Sequence, residues 1–132
     1  MRIRYIIREI KDYIKYDIPY GIKNLIKWFP LVWKDRDYDH NYILYALKFK
    51  IHNTRKLHER NKRHVGVEKE IHCMKVCEIL LDRLIKDDYY LMHYNKLRID
   101  NRKAIIRTNN SKIGDKNYLF HILSKRIDSW WD

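Results

Sequence analysis

Three aspartates alternate with other residues in the stretch WKDRDYDHNY, residues 33–42, and a histidine follows them directly. Carboxylate and imidazole groups bind divalent metals and act as general acids and bases, so this stretch can carry chemistry. Further along the chain a glutamate and a histidine lie four residues apart, which places both on one face of a helix. The candidate ligands of a small metal-dependent hydrolase are Asp35, Asp37, Asp39, His40, Glu68 and His72.

A calcium-binding loop is the first arrangement that these aspartates suggest. Asp35, Asp37 and Asp39 match positions 1, 3 and 5 of an EF-hand loop. That loop also requires a glycine at position 6 and a bidentate glutamate at position 12. This chain has His40 and Ala46 at those places, so an EF-hand is excluded. Metal enzymes built on helical bundles use Glu-x-x-His pairs, and the sequence contains none.

Two other interpretations of the aspartate stretch need no metal. In the first, Asp37 or Asp39 caps the following helix, and the remaining carboxylates lie near its positive end. Trp33 and Tyr38 then pack inward. In the second, Trp33, Arg36 and Asp37 form a corner that binds a partner, because tryptophan and arginine often anchor interfaces. These three residues are therefore candidate binding residues.

The chain carries a formal charge of +12, from 29 basic and 17 acidic residues. An excess of this size favours anionic partners such as nucleic acid, acidic proteins or anionic lipid. Seven of the basic residues lie between Lys48 and His64, on the outer face of a predicted helix and in the turn after it. The residues expected to contact phosphate are Arg55, Lys56, Arg60, Lys62 and Arg63. No RNA-recognition, zinc-finger or helix-turn-helix motif is present, so sequence-specific recognition is not predicted.

A nucleophilic active site finds no support in the sequence. None of the three serines lies in a Gly-x-Ser-x-Gly turn, and three scattered glycines cannot form a phosphate-binding loop. Cys73 and Cys77 lie four apart on one predicted helix and are interpreted as packing residues. We therefore expect a binding protein with no catalytic residue and no cofactor.

Apolar residues recur at helical intervals along nearly the whole chain, which predicts an all-α fold. The pattern predicts a first helix over residues 2–16, a break at the sequence DIPYG, and a short helix that Pro30 ends. Two long helices follow, over residues 39–60 and 67–86, with a turn at Gly66 between them. The residues of the second long helix that are expected to face inward are Ile71, Met74, Leu81 and Leu84.

The last third of the chain is predicted to be less regular. A short helix is expected to reach Tyr94, and residues 98–114 hold the most turn-forming residues, which predicts a loop. The segment RKAIIR within it is a candidate short strand. Asp115 is expected to cap a terminal helix, whose apolar stripe is Leu119, Ile122, Leu123, Ile127 and Trp130. The prediction is a single domain, residues 1–132, built as a compact bundle of four to six helices.

No membrane span or secretion signal is expected. The longest apolar runs have about six residues, whereas a membrane-spanning helix needs about 20. The N-terminus carries charges throughout and lacks the apolar core of a signal peptide. We therefore expect a cytoplasmic protein with no membrane partner.

A group of small tailed-bacteriophage proteins resembles this chain over roughly residues 18–132. The shared features are a Trp-x-Asp-Arg-Asp-aromatic-Asp stretch, a His-Val-x-x-Glu helix start and a Trp-Trp ending. In this sequence they stand as WKDRDYD, HVGVE and RIDSWWD. The resemblance implies a phage-encoded accessory protein in the host cytoplasm, and it implies no reaction.

These observations together predict a non-catalytic binding module. Its expected partner is nucleic acid, a nucleoprotein complex or an acidic host protein, because the chain is strongly basic and shows no catalytic motif. The alternative is the small metal-dependent hydrolase built on the aspartate, histidine and glutamate cluster.

Overall fold

The computed structural model describes residues 2–62, 65–97 and 101–130. These residues are mostly helical, and no strand occurs among them. The predicted all-α class is therefore confirmed. The chain divides into two units, Met1–Asp39 and His40–Asp132. The single domain over residues 1–132 stays a prediction.

The first unit is one long helical segment. It consists of α1 (Arg2–Asp12), a π-helical turn (Tyr13–Asp17) and α2 (Ile18–Lys34). The predicted break at DIPYG is wrong, because the π turn accommodates Pro19 in the first turn of α2, where a backbone N–H is not needed. The predicted end at Pro30 is also wrong, since α2 continues through that residue.

The second unit is a bundle of four helices. They are α3 (Asn41–Asn61), α4 (Val67–Lys86), α5 (Tyr89–Leu97) and α6 (Asn101–Arg126), and a 3-10 turn (Ile127–Ser129) follows α6. The two predicted long helices are confirmed, with α4 at its predicted bounds and α3 beginning two residues late. The ion pairs Lys48–Asp82 and Arg55–Glu78 run in opposite order along α3 and α4, so these helices are antiparallel neighbours.

The core of the bundle forms where α4 meets α3 and α6. Met74, Cys77 and Leu81 of α4 are fully buried, and burying one such leucine contributes about 1.5–3 kcal/mol. All four α4 residues predicted to face inward are buried. The other members of the core cluster are Ile51, Leu80, Leu84, Tyr89, Leu119, Ile122, Leu123 and Trp130. From the predicted terminal stripe only Ile127 is exposed.

The predicted loop and strand between residues 98 and 114 are wrong where the structure describes them. α6 begins at Asn101 and passes through Gly114, and residues 98–100 lie outside the described part. Asp115 consequently lies within the helix and does not cap it. Tertiary packing explains the difference, because Ala104 is fully buried and α6 contacts both α4 and α5. That burial outweighs the weak helix propensity of asparagine, threonine and glycine, which costs about 0.5–1 kcal/mol per residue.

Gly114 offers a direct test of this helix. A Cβ atom at Gly114 meets open space, so Gly114→Ala is expected to raise the free energy of unfolding by about 0.5–1 kcal/mol. Gly66→Ala is the matched control, because its Cβ atom also meets open space but the backbone φ is 87°. Gly66→Ala should therefore lower the free energy of unfolding by about 1 kcal/mol. Urea unfolding followed by circular dichroism measures both, and a destabilised Gly114→Ala protein would contradict the helix.

No helix within the described residues is long and apolar enough to span a lipid bilayer.

Candidate functional site

The aspartate stretch follows α2 and is held by hydrogen bonds to backbone carbonyl groups of its own residues. The guanidinium group of Arg36 donates hydrogen bonds to the carbonyl oxygens of Trp33, at 3.2 Å, and of Asp35, at 2.7 Å. The backbone N–H of Asp39 donates to the carbonyl of Arg36 at 2.8 Å. Arg36 therefore closes the C-terminal end of α2, which is a local structural role.

The predicted capping and packing roles in this stretch are wrong. The residue at the N-cap of α3 is His40, whose side chain makes no cap hydrogen bond, so neither Asp37 nor Asp39 occupies the N-cap position. Trp33 and Tyr38 do not pack inward, because they are 69% and 86% exposed. The stretch thus presents aromatic surface.

The six candidate metal ligands lie in both units of the chain, with Asp35, Asp37 and Asp39 in the first and the others in the second. Among the residues that the structure describes, no group of three or more histidine, cysteine, aspartate or glutamate side chains is arranged to hold a metal ion. Glu68 and His72 share an exposed face of α4. Asp35, Asp37 and His40 are exposed, and Asp39 is partly buried. No observation favours the hydrolase alternative.

The predicted phosphate-contacting strip on α3 is largely paired with acidic residues of the chain itself. The Arg55 side chain is only 11% exposed; its Nε lies 2.6 Å from Glu78 Oε2 and its Nη1 lies 2.7 Å from Glu59 Oε1. Lys56 Nζ lies 3.6 Å from Glu59 Oε2. Lys48, in the same segment, pairs with Asp82 of α4. Arg55 and Lys48 therefore join α3 to α4, whereas Lys56 pairs within α3.

Two of the predicted binding residues on this helix remain exposed. Arg60 and Lys62 lie at the C-terminal end of α3, and neither makes an ion pair within the described part of the chain. Arg63 lies outside the described residues. Among the four described cations of the predicted strip, Arg60 and Lys62 are therefore accessible and unpaired, and Lys56 is exposed within its ion pair.

The ion pairs around Arg55 also shift the pKa values of the side chains that form them. The hydrogen bond that Arg55 donates to Glu78 raises the pKa of Arg55, and the one that Arg55 donates to Glu59 lowers the pKa of Glu59 below its ordinary value of 4.5. Because the Glu59 pKa is lower in the folded state, the pair stabilises the fold at neutral pH. That contribution is lost as the pH falls below about 4.5.

A second concentration of positive charge lies on α6, and the sequence reasoning missed it. Cations, amides and one imidazole recur there at intervals of three, four or seven residues, which aligns them on one side of the helix. We call this the α6 basic face: Lys103, Arg107, Asn110, Asn117, His121 and Lys125. All six are exposed, and no ion pair of theirs occurs within the described residues.

The α6 basic face lacks acidic neighbours on its own helix. Asp115 is the only acidic residue of α6. Its carboxylate accepts a hydrogen bond from the Tyr89 hydroxyl at 2.6 Å and lies 3.1 Å from Arg83 Nε. The Asp115 side chain is nearly buried. The cations of this face are therefore not neutralised by α6 itself.

One serine lies against a histidine in the bundle. His93 Nε2 lies 2.8 Å from Ser111 Oγ, which joins α5 to α6. A catalytic triad also needs a third group that orients the histidine. No such contact to His93 occurs within residues 65–97 and 101–130. The pair is therefore interpreted as a helix–helix contact.

Comparison with known proteins adds no assignment: no family model, no curated protein and no solved structure matches the chain.

Proposed function

We propose that the protein is a non-catalytic module that binds nucleic acid, free or within a nucleoprotein complex. The observation that carries this proposal is the α6 basic face, a row of exposed cations and amides with no acidic neighbour on its helix. An acidic host protein is the alternative partner. The resemblance to tailed-bacteriophage proteins supports a phage-encoded accessory role in the host cytoplasm.

The composition of the α6 basic face fits phosphate contacts. Lysine, arginine and asparagine side chains make many of the protein contacts to phosphate oxygens. At about 1.5 Å per residue, the row from Lys103 to Lys125 spans about 33 Å, which is close to one turn of duplex DNA. Arg60 and Lys62 on α3 add two further accessible cations. Binding of this kind depends on charge and shape and is weakly selective for sequence.

The proposal predicts a loss of affinity when the α6 basic face loses charge. The double variant Lys103→Gln, Arg107→Gln is expected to bind a short random-sequence DNA duplex at least tenfold more weakly at low salt. The slope of log K against log salt should fall by about two, because each lost phosphate contact removes about 0.9. Fluorescence anisotropy across a salt series measures both quantities.

The matched control removes the same charge elsewhere. Lys69 and Lys86 are exposed residues of α4, so the double variant Lys69→Gln, Lys86→Gln has the same net charge without changing α6. It should bind nearly as tightly as the unmodified protein. Equal losses of affinity in the two double variants would show that only the net charge matters. That result would contradict binding through the α6 basic face. No binding to duplex or single-stranded nucleic acid at low salt would overturn the proposal in favour of an acidic protein partner.

A further inference from the structure

The first unit carries a long apolar stripe that is exposed to solvent. In α1 and the π turn the stripe consists of isoleucines spaced four, three and four residues apart, and in α2 it continues with aliphatic and aromatic residues. Representative members are Ile3, Ile7, Ile10, Ile14, Ile22 and Phe29. Every one of them is about half exposed or more, and no residue of α1 or α2 is buried. We call this feature the N-terminal stripe.

A row of cations runs beside the N-terminal stripe on one flank. In α1 this basic row contains Arg4, Arg8 and Lys11, in the π turn it contains Lys15, and in α2 it continues with Lys23 and Lys27. At about 100° per residue these side chains occupy a narrow arc next to the stripe. Residues 2–34 contain eight basic and three acidic residues, and none of the acidic residues lies in α2. The exposed apolar surface is thus flanked by positive charge.

The π turn keeps both features in phase along the whole segment. In an uninterrupted α-helix, advancing by about 100° per residue would carry Ile18 and Ile22 onto the flank of Lys11 and Lys15. The π turn Tyr13–Asp17 holds one extra residue, and its Ile18 N–H donates to the Tyr13 carbonyl five residues back. This extra residue returns the α2 isoleucines to the N-terminal stripe and the α2 lysines to the basic row.

We propose that α1, the π turn and α2 bind in the plane of an anionic lipid surface. The N-terminal stripe enters the boundary between headgroups and acyl chains, and the basic row contacts the headgroup phosphates. In-plane helices of this kind combine a strong amphipathic pattern with lysine or arginine on the polar side and tryptophan, phenylalanine or leucine on the apolar side. Phe29 and Trp33 supply the aromatic residues. The expectation of no membrane partner considered only spanning segments and secretion signals, and an in-plane helix needs neither.

Charge favours a lipid surface over an antiparallel second copy of this chain. An antiparallel pairing of two N-terminal stripes would place one basic row against the other, which is unfavourable. An anionic lipid surface instead neutralises the row, at about 1 kcal/mol for each lysine or arginine near the surface. The proposal does not depend on the α6 basic face, so either can fail alone.

Vesicle flotation with the full chain tests the proposal. The protein is expected to float with vesicles of phosphatidylglycerol and phosphatidylcholine, and at least tenfold less with phosphatidylcholine alone. Ile10→Glu, in the N-terminal stripe, should weaken flotation at least tenfold. Tyr5→Glu is the matched control, because Tyr5 lies in the same helix away from the stripe and is 56% exposed against 53% for Ile10. Flotation of the Tyr5→Glu protein should stay close to that of the unmodified protein.

A phase variant makes the test sharper. Inserting one alanine after Tyr16 adds a residue beyond the one that the π turn accommodates and rotates α2 by about 100° relative to α1. Flotation should fall at least tenfold although the stripe and the basic row keep all their residues. The double variant Lys103→Gln, Arg107→Gln should float as the unmodified protein does, which separates this surface from the α6 basic face. Circular dichroism and unfolding of each variant confirm that the bundle core, which lies in the second unit, is intact.

Three results would overturn the proposal. One is no flotation of the unmodified protein with the anionic vesicles. Another is equal flotation of the Ile10→Glu and Tyr5→Glu proteins. The third is a concentration-dependent dimer, seen by sedimentation and abolished by Ile10→Glu, in a protein that does not bind vesicles, since a second copy then covers the stripe.

Discussion

Replacing Arg55 by methionine is expected to lower the free energy of unfolding by about 3 kcal/mol and to leave the nucleic-acid affinity of the folded protein unchanged. The loss arises because Glu78, only 9% exposed, would keep the His52 imidazole as its one partner among the described residues. A buried carboxylate that loses its cationic partner keeps most of its desolvation cost, and no ion pair compensates for that cost. Urea unfolding and fluorescence anisotropy measure the two quantities on the same samples.

Two further variants make this prediction specific. Arg60→Met removes an exposed arginine of the same helix and should change the free energy of unfolding by less than about 0.5 kcal/mol. The double variant Arg55→Met, Glu78→Met should recover most of the loss, because apolar residues often replace a buried ion pair at little cost. A fall in nucleic-acid affinity for Arg55→Met as large as that for the α6 double variant would restore Arg55 as a binding residue.

Trp130→Ala is expected to cost about 3–5 kcal/mol of stability. Trp130 is 6% exposed and belongs to the core cluster of the bundle. Its indole N–H donates to Glu70 Oε2 at 2.9 Å, and its carbonyl accepts a hydrogen bond from His58 Nε2 at 2.8 Å. Trp130 thus connects the segment after α6 to α4 through its indole and to α3 through its backbone carbonyl. Thermal or urea unfolding measures the loss.

The contributions of volume and hydrogen bonding to this effect can be separated. Trp130→Phe keeps most of the apolar contact and removes the donor to Glu70, so it should cost about 1–3 kcal/mol. Trp33→Ala is the control, because Trp33 is largely exposed and its loss should matter little to stability. If Trp130→Ala and Trp33→Ala cost the same, the C-terminal packing described above is wrong.

The parts of the fold that could be predicted are those where local pattern and tertiary packing agree. α4 has a clear apolar face and glutamates in its first turn, and its predicted bounds match the structure. α6 could not be predicted in full, because Asn109, Asn110 and Gly114 favour turns locally and only burial of Ala104 and Leu119 keeps the segment helical. Pro19 misled the prediction for a related reason, since a single π turn absorbs its effect.

The candidate site was harder to predict than the fold, because the sequence shows which residues are charged but not which ion pairs they form in three dimensions. Arg55 has the residue type and position of a phosphate-binding residue, but Glu78 and Glu59 surround it in three dimensions. Lys103 and Arg107 were overlooked because their segment was expected to be a loop. The sequence does contain a signal for the α6 basic face. Cations and amides recur there at helical spacing, and the 26 residues of α6 include a single acidic residue.

The order in which the core is assembled has a consequence during synthesis. α3 and α4 are complete once Lys86 has been added, yet the α4 face around Met74 and Leu81 also needs Leu119, about 33 residues later. At about 5–20 residues per second, that apolar face waits for a few seconds on the ribosome. We therefore expect slow codons between residues 87 and 119 to prolong this exposure and to raise the tendency of the nascent chain to aggregate.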